Sequence, residues 1–261
     1  MDSADAYRAA LAALSFQVDL GADEALEESP VDRYALDPAP AKPAPAPAPE
    51  ATPPAIRPDA VDPAAVAAEA ARTAPDLPAL AEAMAGYELC ELKRGARSFV
   101  FADGDPAARV MVIGEAPGAE EDATGKPFMG EAGRLLDRML AAIGLDRNAA
   151  DPARGAYLTN VMPWRPPANA TPTDGEIAMM LPFLERHIAL AAPDLLILMG
   201  NLPCAALLGR SGITRMRGRW AEVLGRPALP MFHPVHLLRT PVAKREAWAD
   251  LLAVQAKLRG D

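Results

Sequence analysis

Four short apolar runs, each closed by a polar residue, organise the chain. They are Val110–Ile113 before Gly114-Glu115, Tyr157–Thr159 before Asn160, Leu195–Met199 before Gly200-Asn201, and Pro230–Phe232 before His233. Runs of this length and ending read as buried strands, over 110–114, 157–161, 194–199 and 229–232. Helical spacing fills the gaps between them. Leu135, Leu136, Met139, Leu140 and Ile143 recur on one face of 131–143. Thr173 and Glu176 form a capping box that opens a helix to about Leu190. A short helix near 202–208 and a last one over 242–259 follow, and 209–219 is a Gly/Arg loop. The stretch 146–156 is a loop with no readable signal. Strand–helix alternation predicts an α/β fold: a three-layer α/β/α sandwich around a central, mostly parallel four-stranded sheet. Ligands bind such sheets beyond the carboxyl ends of the strands. The pattern therefore predicts one pocket holding Glu115, Asn160, Asn201 and His233.

The front of the chain is patterned differently. Residues 3–30 suggest a helix with Leu11, Leu14, Phe16 and Leu20, followed by an acidic turn, within an extension over 1–37. Residues 38–60 are Ala/Pro-rich and include Pro43–Pro49, in which every second residue is proline. Proline removes amide donors and favours extended backbone, so this stretch reads as a semi-rigid linker. A connecting helix is expected over 61–74, and the folded body over 75–261.

Composition adds a core and a charge distribution. The 261 residues are 51% hydrophobic but only 5% aromatic, so Ala, Leu, Val and Met must build most of the interior. The net charge of −9 argues against an anionic partner until it is mapped. Residues 1–80 hold 14 acidic and 5 basic residues, whereas 209–261 hold 10 basic and 4 acidic. The acidity belongs to the front and the end of the body is basic, which is compatible with nucleic acid. No apolar run reaches the roughly 18 residues of a membrane span, and Met1–Asp5 lacks the basic region of a secretory signal. With only Cys90 and Cys204, a reducing cytoplasm is the simpler expectation.

The candidate chemistry lies at the strand ends. Gly114-Glu115-Ala116-Pro117-Gly118 is neither a phosphate loop nor a dinucleotide fingerprint. An acidic cluster, Glu120, Glu121 and Asp122, precedes Gly125-Lys126-Pro127-Phe128. Phe128 is either core or a flat apolar surface for a planar ligand. Asn160 both donates and accepts, which suits a nucleobase edge; its alternative is a turn residue bonding backbone. A neutral His233 at a strand end can donate to a developing oxyanion. His236 lies three residues on, but no Cys, Asp or Glu completes a metal set in sequence, so no metal is expected. His187 sits in a helical pattern and reads as packing or surface. Leu237-Leu238 beside Arg239 fits an apolar tip inserted into a duplex with a phosphate anchor, unless both leucines are core. Arg215, Arg217 and Arg219 alternate in the Gly/Arg loop and, with Lys244, suit backbone phosphates.

Taken in order, these motifs resemble the uracil-DNA glycosylase superfamily, and within it family 4. The resemblance rests on Gly114–Gly118, Glu121-Asp122, Pro127-Phe128 with Gly130 and Ala132-Gly133, Thr159-Asn160, Trp164–Pro167 with Asn169 and Thr171-Pro172, and His233-Pro234 with Leu237–Arg239. It covers about residues 75–259. It implies a monofunctional repair enzyme that hydrolyses the N-glycosidic bond of deoxyuridine, frees uracil and leaves an abasic site. Glu115 or Glu121 would orient the attacking water, and His233 would stabilise the departing uracil anion. Gly114, Ala116, Phe128 and Asn160 would surround the base. Leu237 or Leu238 would fill the vacated stack, with Arg239, Arg217 and Lys244 on the DNA. The implied partner is uracil-containing DNA, single-stranded or duplex, met by a monomer away from membranes.

The chain departs from family 4 at the iron–sulfur cluster, whose four cysteines begin with a C-x2-C pair. Here Tyr87 stands at the first position, Cys90 at the second, Trp164 at the third and Met180, sixteen residues later, at the fourth. One thiolate cannot hold a four-iron cluster, so no cofactor is expected. Two other functions compete: a glycosylase for another deaminated or oxidised base, and a binder of uracil-DNA without turnover. A covalent uracil-DNA-trapping relative would need an inserted basic loop, and 129–144 contains none.

Overall fold

The computed structural model describes residues 61–260, with Tyr7 ahead of them. The expected helix at 3–30 and the linker at 38–60 lie outside the described residues, apart from Tyr7, which is helical. The compact unit Asp59–Asp261 opens with α1 (Pro63–Thr73), whose N-cap Asp62 accepts the Ala64 amide. Ala67 and Ala71 of α1 are buried in the main core against the long helix α6 (Asp174–Ala191). Packing of α1 thus extends the folded body back from residue 75. Two helices follow that the apolar pattern did not announce, α2 (Leu77–Gly86), capped by Asp76, and the short α3 (Leu92–Gly95).

Among the described residues the sheet has six strands in the order β1-β3-β2-β4-β6-β5. Its centre is the expected parallel four: β3 (Ala156–Asn160), β2 (Val110–Gly114), β4 (Leu195–Met199) and β6 (Arg226–Met231). The two additional strands are antiparallel edges, β1 (Ala102–Asp103) on β3 and β5 (Ala221–Val223) on β6. Both are too short to show a period in sequence. Alternation along the strands divides the interior into two cores. Met111, Ile113, Tyr157, Leu196 and Leu198 face α1, α2 and α6. Val110, Val112, Leu158, Ile197 and Met231 face α5 (Gly130–Ala142) and α10 (Lys244–Arg259). These are the two helical layers of the sandwich.

Register aligns the chemistry. Gly114 pairs with Asn160, Ile113 with Leu198, and Met199 with Met231. All four parallel strands therefore end at one rim. The strand β2 lies at the centre of that rim, between β3 on one side and β4 on the other, which is where a doubly wound sheet opens a crevice. The acidic cluster becomes α4 (Ala119–Thr124), stopped by Gly125 in the left-handed region. The Thr173–Glu176 capping box opens α6, with Glu176 Oε2 accepting the Thr173 amide at 2.7 Å. Along the same rim lie α7 (Asn201–Leu208), α8 (Ile213–Met216) and α9 (Pro234–Arg239).

Candidate active site

A cleft of about 940 Å³ runs along this rim and is lined by Glu115, Phe128, Asn160 and His233, among others. Close approach at its floor requires Gly114. A methyl there would collide with Asn160 Oδ1 and lie 2.6 Å from Phe128 Cζ. Asn160 is buried, and among the described residues its side chain makes no hydrogen bond. Its amide is therefore not spent on turning the backbone.

Phe128 is 4% exposed and adopts φ +53°, a conformation rare for a bulky residue. Its ring stacks on that of His233, with centroids 5.7 Å apart and planes at 22°. His233 caps α9: its Nδ1 accepts the Val235 amide at 3.2 Å. That bond leaves the proton of a neutral imidazole on Nε2. Burial lowers the His233 pKa to about 4, so the ring is neutral near pH 7.

The two candidate carboxylates differ. Glu115 Oε1 accepts the amides of Asn201 at 2.9 Å and Leu202 at 3.4 Å, so it caps α7 from the end of β2. Its Oε2 bonds no described group. Both oxygens of Glu121 are committed. Oε2 accepts the Gly118 amide and Oε1 the Met129 amide, each at 3.0 Å. Glu121 is thus a brace between the Gly118 turn and the Phe128 loop, and its geometry disfavours a role in orienting water. The buried Asp122 is likewise a brace, accepting the amides of Arg97 at 2.8 Å and Ser98 at 3.0 Å.

Several expected ligand contacts are corrected by what the side chains touch. Asn201 borders the cleft, but its Oδ1 accepts the amides of Gly212 at 3.0 Å and Ile213 at 2.9 Å and so anchors the Gly/Arg loop. Arg217 pairs with the buried Asp250, its Nε donating to Oδ2 at 2.9 Å, and donates to the Glu246 carbonyl at 2.9 Å. Its guanidinium also lies 5.8 Å from the Phe232 ring centroid, so it is held by internal partners and supports the strand that carries His233. Leu237 is 1% exposed and belongs to the core, while Leu238 and Arg239 line the cleft. Of the two leucines, one is core and one is a candidate wedge. Lys244 lies outside the cleft, bordering a smaller apolar hollow with Leu135, Met139 and Trp248. Ala116 lines the cleft next to Glu115.

Sequence reasoning missed Arg147, in the unread loop 146–156. Its buried guanidinium donates to the carbonyls of Pro127 at 3.1 Å and Phe128 at 3.0 Å.

The positions corresponding to cluster ligands do not fit a cluster. Tyr87, Cys90, Trp164 and Met180 are all buried in one apolar core. The Tyr87 hydroxyl donates to the Pro63 carbonyl at 2.6 Å, and its ring packs edge-on against Phe183. Burial pushes the single thiol, Cys90, up in pKa and away from the thiolate a metal needs. Among the described residues, no three His, Cys, Asp or Glu side chains are grouped to hold a metal ion, and no helix is long and apolar enough to cross a membrane.

A family model described as the uracil DNA glycosylase superfamily matches residues 101–252. The chain is 32% identical over 191 residues to the type-4 uracil-DNA glycosylase of Pyrobaculum aerophilum, spanning 67% of this chain and 91% of that protein. It is 36% identical over 153 residues to the type-4 enzyme of Thermotoga maritima, spanning 58% and 77%. A type-5 uracil-DNA glycosylase of Thermus thermophilus is 34% identical over 122 residues, 43% of this chain and 55% of that one.

Proposed function

The chain belongs to the uracil DNA glycosylase superfamily, and we propose that it hydrolyses the N-glycosidic bond of deoxyuridine in DNA, as a monofunctional repair glycosylase that works without an iron–sulfur cluster. One observation carries the reading. A neutral imidazole with a free Nε2–H, an uncommitted buried amide and an aromatic face meet at a single rim of the sheet.

Each feature answers a requirement of the reaction. Breaking the bond develops negative charge on the base and positive charge on the sugar, and stabilisers act where charge appears. His233 Nε2–H donates to a carbonyl oxygen of the departing uracil. Being neutral, it places no proton on the base before the bond breaks. Asn160 reads the uracil edge, and the Phe128 ring stacks on its face. Glu115 faces the sugar side: its Oε2 can hold the attacking water or offset the sugar charge while Oε1 keeps α7 in place. The base must leave the stack to reach this cleft. Leu238 is the side chain suited to fill the gap, and Arg239 to hold a flanking phosphate. The DNA is single-stranded or duplex, and every residue given a role above lies in one chain, in keeping with a monomer.

The donor set at these positions, one protonated buried thiol among Tyr, Trp and Met, speaks against a cluster. Iron quantitation and an absorbance band near 400 nm on anaerobically purified protein decide this point. The activity is tested by base release from end-labelled single-stranded and U:G oligonucleotides carrying one uracil, without added metal, beside His233→Ala. Strand breakage only after alkali, lost in the variant, is expected. Uracil-dependent binding without release would favour a non-catalytic binder, and release of a different base would favour another lesion.

A further inference from the structure

We infer that Arg147 is a positioning residue for the Phe128 ring, an inference that rests on the base-stacking role of that ring. Arg147 is 7% exposed, lines no part of the cleft and lies nineteen residues from Phe128 in sequence. Its guanidinium ties four points together. Nη1 and Nη2 donate to the carbonyls of Pro127 and Phe128, Nε to Asp137 Oδ1 at 2.7 Å, and Nη1 also to Asp103 Oδ2 at 3.3 Å. The two carboxylates come from α5 and β1, so they aim the fork and balance its charge. Lys126 shares Asp103 at 3.0 Å.

The arrangement has a mechanical purpose. Phe128 holds a left-handed backbone that its side chain disfavours, and such a conformation persists only where the surroundings over-determine it. Arg147 grips the carbonyls of Pro127 and Phe128, and Glu121 grips the Met129 amide beyond them. Gly133 leaves the space the Phe128 carbonyl occupies; a methyl there would collide with it. Clamped this way, the Phe128 ring faces both His233 and Gly114. A lysine could not serve these partners together, because one ammonium has no planar fork.

The test compares Arg147→Lys, Phe128→Ala and the double variant in the full chain. The chain has three histidines, so His233 ring protons are assigned in ¹H NMR spectra by their loss in His233→Ala. In the wild type the stacked Phe128 ring should shift these resonances. Arg147→Lys should move them toward their Phe128→Ala positions. It should also lower kcat/KM for uracil release by about 10- to 100-fold, and the double variant should be no worse than Phe128→Ala alone. Unmoved His233 resonances, or losses that multiply in the double variant, would overturn the inference. A wild type that releases no uracil defeats the proposed activity alone, since the resonances still report on the clamp. Should Arg147→Lys fail to fold, Asp137→Asn removes one carboxylate that aims the guanidinium, with the same shift expected and an unmoved spectrum counting against it.

Discussion

The Nδ1 of His233 accepts the Val235 amide at 3.2 Å, which couples the tautomer of the imidazole to the start of α9. Burial lowers this group from its ordinary 6.5 to about 4. The active form is neutral, so protonation at Nε2's partner nitrogen would break the cap and alter the donor. On this basis kcat/KM should show no His233-dependent loss between about pH 8 and 5 and should fall as pH drops through about 4. His233→Ala should cost about 100- to 1000-fold, the range for removing one oxyanion donor. A limb near pH 6.5 that disappears in this variant would mean that water reaches the half-buried imidazole and restores its ordinary pKa.

The same shift has a stability consequence, and His187 adds to it. His187 bonds the Tyr157 hydroxyl at 2.9 Å, and burial lowers its pKa to about 3. Both groups bind protons more readily in the unfolded chain. Their contribution to stability is therefore complete above pH 6.5 and is lost progressively as pH falls through about 4 and then 3. Thermal melts between pH 7.5 and 4 should move downward with acid, less steeply in His187→Leu than in the wild type. An equal slope in both would contradict the assignment.

Glu115 and Glu121 separate by substitution. Glu115→Gln keeps an oxygen for the Asn201 amide and loses only the charge. It should leave the melting temperature within a few degrees while lowering base release. Glu121→Gln can accept one of its two amides but not both, so it should release the Phe128 loop at a cost of about 1–3 kcal/mol. Activity loss in Glu121→Gln without any loss of stability would return that carboxylate to the chemistry.

Much of this site was legible because strand ends in a parallel sheet share one edge. Gly114-Glu115, Asn160 and His233 are readable from four apolar runs and the polar residues that close them. The errors come from side chains whose direction is set by distant partners. Asn201 at a strand end and Arg217 in a loop look like ligand contacts, yet one anchors the Gly212–Ile213 backbone and the other meets Asp250, 33 residues away. Leu237 and Leu238 are neighbours in sequence but lie about 100° apart around a helix, which suffices to put one in the core and one on the cleft. Arg147 carries no local signal at all. Its role exists only once β1, α5 and the Phe128 loop come together.

That contrast between the two leucines gives a sharp test. Leu237→Ala opens a cavity in the core and should destabilise by about 2–5 kcal/mol. Leu238 is half-buried at the edge of that core, so Leu238→Ala should destabilise less than Leu237→Ala, reduce uracil release from duplex DNA and spare release from single strands, where no stack needs filling. Equal losses on both substrates would remove Leu238 from the wedge role.

The two arginines can be told apart by salt. Removing Arg217 strands the buried Asp250, whose carboxyl burial already pushes upward in pKa against the pull of the arginine. Arg217→Ala should therefore cost about 3–5 kcal/mol of stability and leave the salt dependence of DNA binding as it was. Arg239 is exposed at the cleft and has no hydrogen-bonded partner among the described residues. Arg239→Ala should spare stability and reduce the slope of log binding constant against log salt by about one phosphate contact. The reverse pattern, a stable Arg217 variant with a shallower slope, would restore the Gly/Arg loop to the DNA surface and require the Asp250 pair to open when DNA binds.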